Sequence, residues 1–126
     1  MDLKGKTIGF GLTGSHCTFA EVMPEIQRLV DAGANIIPVI SHTVATTDTR
    51  FGNSSDWQAQ LRAITGNEII STIVDAEPFG PSNKLDLMII APCTGTSISK
   101  LANAMTDSAV MMATKATLRN LRPVVI

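Results

Sequence analysis

Residues 85–107, LDLMIIAPCTGTSISKLANAMTD, limit the possible architectures of this chain more than any other segment. Leu85, Leu87, Met88, Ile89, Ile90 and Ala91 form an apolar run that stops at Pro92 and is too short for an ordinary helix. Such a run reads as a strand covered on both faces, and that belongs in a parallel sheet. Next comes a turn rich in small and hydroxylated residues, Pro92-Cys93-Thr94-Gly95-Thr96-Ser97, and then the helix-like SISKLANAM. The order strand, turn, helix puts free backbone N–H groups and hydroxyls at the carboxyl edge of a strand, where open α/β sheets bind ligands. A capped turn with no ligand is the alternative that this segment alone leaves open.

The rest of the chain alternates in the same way. Residues 7–12, TIGFGL, read as a first strand followed by Thr13-Gly14-Ser15-His16. Gly9, Gly11 and Gly14 satisfy GxGxxG between a strand and a helix, but the acid that a dinucleotide fingerprint needs at the end of the second strand is missing. That strand, residues 35–40, runs instead into Ser41-His42-Thr43. The first loop can therefore hold a phosphate, while an NAD-type site lacks its second half. Phe19, Val22, Met23, Ile26, Leu29 and Val30 lie on one face of a helix that Ser15 or Thr18 can cap and Gly33 can end in a left-handed conformation. Pro24 is expected to kink it.

Residues 41–55 show no apolar periodicity and read as a long loop, of the kind that is usually functional. Its Arg50 carries a planar fork suited to a carboxylate or phosphate, and its His42 is a possible acid or base; a solvated Arg and a merely hydrogen-bonded His are the plainer readings. Ser55 and Gln58 form a possible capping box for a helix with Trp57, Leu61 and Ile64 on one face and Gly66 at its end. Residues 69–74 read as a third strand and 75–84 as a loop; Thr106 or Asp107 can start a last helix, and residues 123–126 begin a fifth strand. Met105, Met111 and Met112 read as core or subunit contact.

Composition closes off several classes. Ten Lys and Arg against eleven Asp and Glu, with no basic block, argue against nucleic-acid binding. No apolar run approaches the roughly 18 residues of a membrane span, and the N-terminus has no signal-peptide pattern, so a cytoplasmic protein is expected. Cys17 and Cys93 show no disulfide or metal spacing, which predicts small buried thiols and no metal site. At 126 residues a single domain is expected. Its class is α/β, a three-layer doubly wound parallel sheet, flavodoxin- or Rossmann-like. In that sheet the right-handed crossover rule brings residues 13–16, 41–50 and 92–97 to one edge. The chemistry gathered there is hydroxyls, backbone donors and one Arg, which suits a phosphorylated planar cofactor better than unaided acid–base catalysis.

Gly11-Leu12-Thr13-Gly14-Ser15 before an amphipathic helix, and Ala91-Pro92-Cys93-Thr94-Gly95-Thr96 before Lys100-Leu101-Ala102-Asn103-Ala104 and Thr106-Asp107, resemble the flavoprotein family of homo-oligomeric flavin-containing decarboxylases. The likeness extends through Ser41-His42-Thr43, Thr49-Arg50-Phe51-Gly52 and Asp75-Ala76-Glu77-Pro78-Phe79-Gly80-Pro81, and spans nearly the whole chain. It implies an FMN site formed by Gly11, Thr13, Gly14, Ser15, Ser41, Pro92, Thr94, Gly95 and Thr96. It also implies a homo-oligomer, a partner chain that binds NADP, and dehydrogenation of a pyridine dicarboxylate precursor, with His42 and Arg50 as catalytic candidates. A stand-alone FMN-dependent decarboxylase or flavin-modifying enzyme, and a non-catalytic flavin-binding module, are the alternatives. The family's decarboxylases carry a catalytic His before the fourth strand, whereas residues 75–84 contain none. The family also continues past the last strand seen here, so a missing C-terminal segment is expected.

Overall fold

The computed structural model describes residues 2–126. Its centre is a four-stranded parallel sheet of β1 (Thr7–Leu12), β2 (Asn35–Ile40), β3 (Leu87–Ile90) and β4 (Val124–Val125), in the order β2-β1-β3-β4. Thr7 to Leu12 pair in register with Asn35 to Ile40, and Ile8 to Gly11 with Leu87 to Ile90. The chain moves to one side of β1 for β2 and to the other for β3. The switch point of this doubly wound sheet thus lies between β1 and β3.

Alternation along the strands divides the core into two layers. Ile8, Phe10, Leu12, Ile36 and Ile40 pack with Phe19, Met23 and Ile26 of α1 (Phe19–Asp31) and with Trp57 and Leu61 of α3 (Ser54–Thr65). Val39, Met88 and Ile90 face the other way, against Ala76 of α4 (Ile73–Ala76) and Val110, Ala113 and Ala116 of α6 (Ala109–Arg119). On that second face β1 presents Thr7 at its start and then Gly9 and Gly11. A Cβ on Gly9 would lie 2.6 Å from Leu85 Cδ1, and one on Gly11 would lie 2.9 Å from Met88 Cε and 3.0 Å from Val110 Cγ1. Both glycines serve close packing of the second layer rather than a phosphate turn.

The expected bounds of β1 and β2 hold, and the apolar face predicted for α1 is the buried one. This helix runs through Pro24 without a break, and Gly33 follows it at φ 99°. Gly66 ends α3 at φ 69° as expected.

Four expectations are corrected. Residues 69–74 form no full strand: Ile70 alone bridges to Val39, exchanging backbone bonds with Pro38 and Ile40. Beyond it, Thr72 Oγ1 accepts from the Asp75 amide and starts α4, so local capping overrides the β-branched run. The predicted capping box is replaced by Asn53 at the start of α3; Gln58 Nε2 instead donates to Ser54 Oγ, which donates to the Val44 carbonyl. Ser108, rather than Thr106 or Asp107, caps α6 by accepting from the Met111 amide. Residues 42–46 within the expected loop form α2 (His42–Thr46), held by Ser41 at its start and by buried Val44.

Candidate functional site

The carboxyl ends of β1, β2 and β3 lead into three turns that meet. Thr13, only 2% exposed, is the junction. Its hydroxyl donates to the Pro92 carbonyl at 2.6 Å and accepts from the Thr94 amide at 3.0 Å, while its own amide donates to the same Pro92 carbonyl at 3.2 Å. The Ser41 amide donates to the Leu12 carbonyl, which brings the β2 turn to the same edge.

On the third turn, Thr94 Oγ1 accepts from the Ser97 amide and shares a 2.8 Å hydrogen bond with Ser97 Oγ, fixing the start of α5 (Gly95–Ala102). Among the described residues no acceptor in the chain takes the amides of Gly95 and Thr96, the first two of that helix. Unpaired amides at a helix start, with the positive end of the helix dipole behind them, are suited to an anion.

These turns enclose a cleft of 280 Å³. Of the residues singled out by sequence, Thr13, Gly14, Ser41, His42, Thr94 and Thr96 line it. Gly11 lies inside β1, and Pro92 is held by the two bonds from Thr13. Ser15 precedes the short 3-10 turn His16–Thr18, its carbonyl accepting from Thr18, and Gly95 opens α5 at the surface without lining the cleft. Arg50 sits elsewhere, exposed at the tip of a tight turn closed by paired Thr49 and Gly52, with its guanidinium 4.9 Å above the Phe51 ring.

Sequence reasoning missed Lys100 and Asp107, which line the cleft and form an ion pair at 3.2 Å. Lys100 is in the last turn of α5 and Asp107 just before α6, so their meeting depends on the path between these two helices and no sequence spacing marks it. The pair is partly exposed, so its net worth is about 0–1 kcal/mol and the Lys100 charge remains available to an incoming anion. Gly14 supplies the space opposite: a Cβ there would come within 3.1 Å of Thr43 Cγ2.

The two cysteines depart from expectation. Cys17 is exposed, and Cys93 is half-buried beside the cleft, where burial raises its pKa above the ordinary thiol value. His16 is the buried group instead, with Nε2 unpartnered and its ring 4.8 Å from that of Phe19. Among the described residues no three His, Cys, Asp or Glu gather as metal ligands, and no helix is long and apolar enough to cross a membrane.

A parallel α/β sheet whose switch-point turns form a polar cleft defines a flavodoxin-like protein, and the chain belongs to the flavoprotein family, whose model matches residues 1–126. More particularly, it is 59% identical over 124 residues to the B subunit of dipicolinate synthase from Bacillus subtilis (strain 168), covering 98% of this chain and 62% of that protein. The crystal structure of the dipicolinate synthase B subunit from Bacillus halodurans C matches with a TM-score of 0.87 and 58% identity, over 98% of this chain and 64% of that one. The FMN-dependent cysteine decarboxylase SpaF shares the fold, with a TM-score of 0.74 at 17% identity over 97% of this chain and 67% of its own. The chain spans about three-fifths of the length of the two Bacillus proteins it matches.

Proposed function

We propose that this chain is the flavin-binding B subunit of a dipicolinate synthase, acting with a nicotinamide-binding A chain to dehydrogenate a dihydrodipicolinate-level precursor to dipicolinate in sporulation. The observation that carries this reading is 59% identity to the Bacillus subtilis protein across nearly the whole chain. The three-turn cleft supports it chemically. Thr96 offers its amide to the FMN phosphate, Lys100 offers a cation, and Thr96, Ser41 and Thr43 offer hydroxyls to the polyol chain; the free Gly95 amide lies beside the cleft at the same helix start. Thr13 does a different job, locking the first and third turns together so that these donors stay aimed at one point.

When bound, FMN supplies a two-electron redox centre, and NADP on the A chain supplies the nicotinamide. Aromatising a dihydropyridine gives up one hydride, which the oxidised nicotinamide on the A chain would accept, and one proton. His42 is the imidazole on the cleft wall and is assigned the proton. Stand-alone decarboxylation is disfavoured because residues 75–84, which run from the end of α4 through the 3-10 turn Glu77–Phe79 into the turn before β3, contain no His.

The test is to follow formation of the pyridine dicarboxylate by its ultraviolet absorbance with this chain alone, the A chain alone, and the two mixed. Turnover only in the mixture supports the reading. Equal turnover by either chain alone contradicts it.

A further inference from the structure

A second, larger concavity of 520 Å³ opens between the end of α5 and the outer face of α6. Its walls are apolar, from Leu101, Met105, Met111 and Leu118, and Met111 also borders the three-turn cleft, so the two spaces adjoin. Along one side stand Lys115 and Arg119. They are four residues apart on α6 and so share a face, and no carboxylate lies within ion-pairing distance of either among the described residues. Residues 108–126 contain three cations, Lys115, Arg119 and Arg122, and no acid, in a chain whose net charge is −1.

Two like charges one helical turn apart repel, and a bound anion turns that cost into attraction. The apolar walls call for a ligand with an apolar body, and the two cations call for two negative groups held at a fixed spacing. Side chains at i and i+4 have Cβ atoms about 5–6 Å apart, a separation that meta-placed carboxylates on one six-membered ring can bridge. The concavity also falls within the roughly 300–1,000 Å³ of small-molecule sites.

We propose that this concavity binds a planar ring dicarboxylate, with its ring against Met105, Met111 and Leu118 and its carboxylates on Lys115 and Arg119. The proposal rests on the dehydrogenase-subunit reading for its substrate class. It assigns the carboxylate grip to α6 rather than to Arg50, which lines neither space.

Calorimetric titration with benzene-1,3-dicarboxylate, pyridine-2,6-dicarboxylate and benzoate tests the site, using the unmodified chain and the exposed-position variants Lys115→Met and Arg119→Met. The benzene probe separates ring recognition from metal chelation by the pyridine nitrogen. Preference for both dicarboxylates over benzoate by at least about tenfold, with a further loss of about tenfold in each variant and FMN titration unchanged, supports the site. Unchanged affinity in the variants, no preference over benzoate, or no dicarboxylate binding overturns it. The functional reading fails separately: dicarboxylate binding through these two residues without turnover in the mixed-chain assay refutes that reading and leaves the site standing.

Discussion

Replacing Thr13 by Val keeps the size of the side chain and removes the hydroxyl that joins two of the three turns. In the native chain that oxygen is buried, donates at 2.6 Å to the Pro92 carbonyl and accepts at 3.0 Å from the Thr94 amide. The Pro92 carbonyl keeps its bond from the Thr13 amide at 3.2 Å, whereas the Thr94 amide is stranded. Two lost bonds at roughly 0.5–1.5 kcal/mol each, with one amide left poorly solvated, give a destabilisation of about 2–4 kcal/mol. Urea unfolding with a slope near ~1.5 kcal/mol/M would show this as a midpoint lower by roughly 1–3 M at unchanged slope. Thr13→Ser retains both bonds and should lose only about 1 kcal/mol, for the missing methyl. A Val variant unfolding within a few tenths of a molar of the unmodified chain would refute the junction role.

Three other outcomes follow from the packing and the titration. Gly11→Ala should cost about 1–3 kcal/mol by overpacking, because the new methyl meets Val110 Cγ1 at 3.0 Å; an unchanged unfolding midpoint would show that α6 yields freely. Arg50→Ala should change stability by no more than about 0.5 kcal/mol and leave FMN affinity unaltered in a fluorescence titration, since the side chain is exposed on Phe51. For Cys93, burial holds the proton more tightly in the folded chain than in the unfolded one. Its contribution to stability is therefore intact below the ordinary thiol pKa and is lost as pH rises through the raised folded value. The rate of Cys93 alkylation, read by mass spectrometry against pH, should have a higher midpoint in native protein than in urea, and coincident midpoints would contradict the shift.

Much of this architecture was legible because it rests on local rules. The apolar run before Pro92, the face of α1 and the glycines at 33 and 66 each point to one local structure, and tertiary packing agrees with them. Residues 69–74 misled because β-branched residues favour a strand, while one threonine at position 72 captures an amide and turns the backbone into a helix. Gly9 and Gly11 matched a nucleotide fingerprint by spacing, yet their lack of side chains serves the packing of Leu85, Met88 and Val110. Arg50 attracted attention through its planar fork and its place in the second loop, and the fold carries it to an exposed turn outside the cleft. Lys100 and Asp107 went unnoticed because their meeting depends on where two helices leave the sheet, which periodicity does not encode.

The most direct test of the central claim, that the three turns form the phosphate end of a flavin site, is a paired fluorescence titration with FMN and riboflavin, repeated on Lys100→Met. The two flavins differ only in the phosphate. FMN should bind at least about tenfold more tightly than riboflavin, and the substitution should remove most of this preference. Equal affinity for the two flavins, or a preference untouched by Lys100→Met, would contradict the claim.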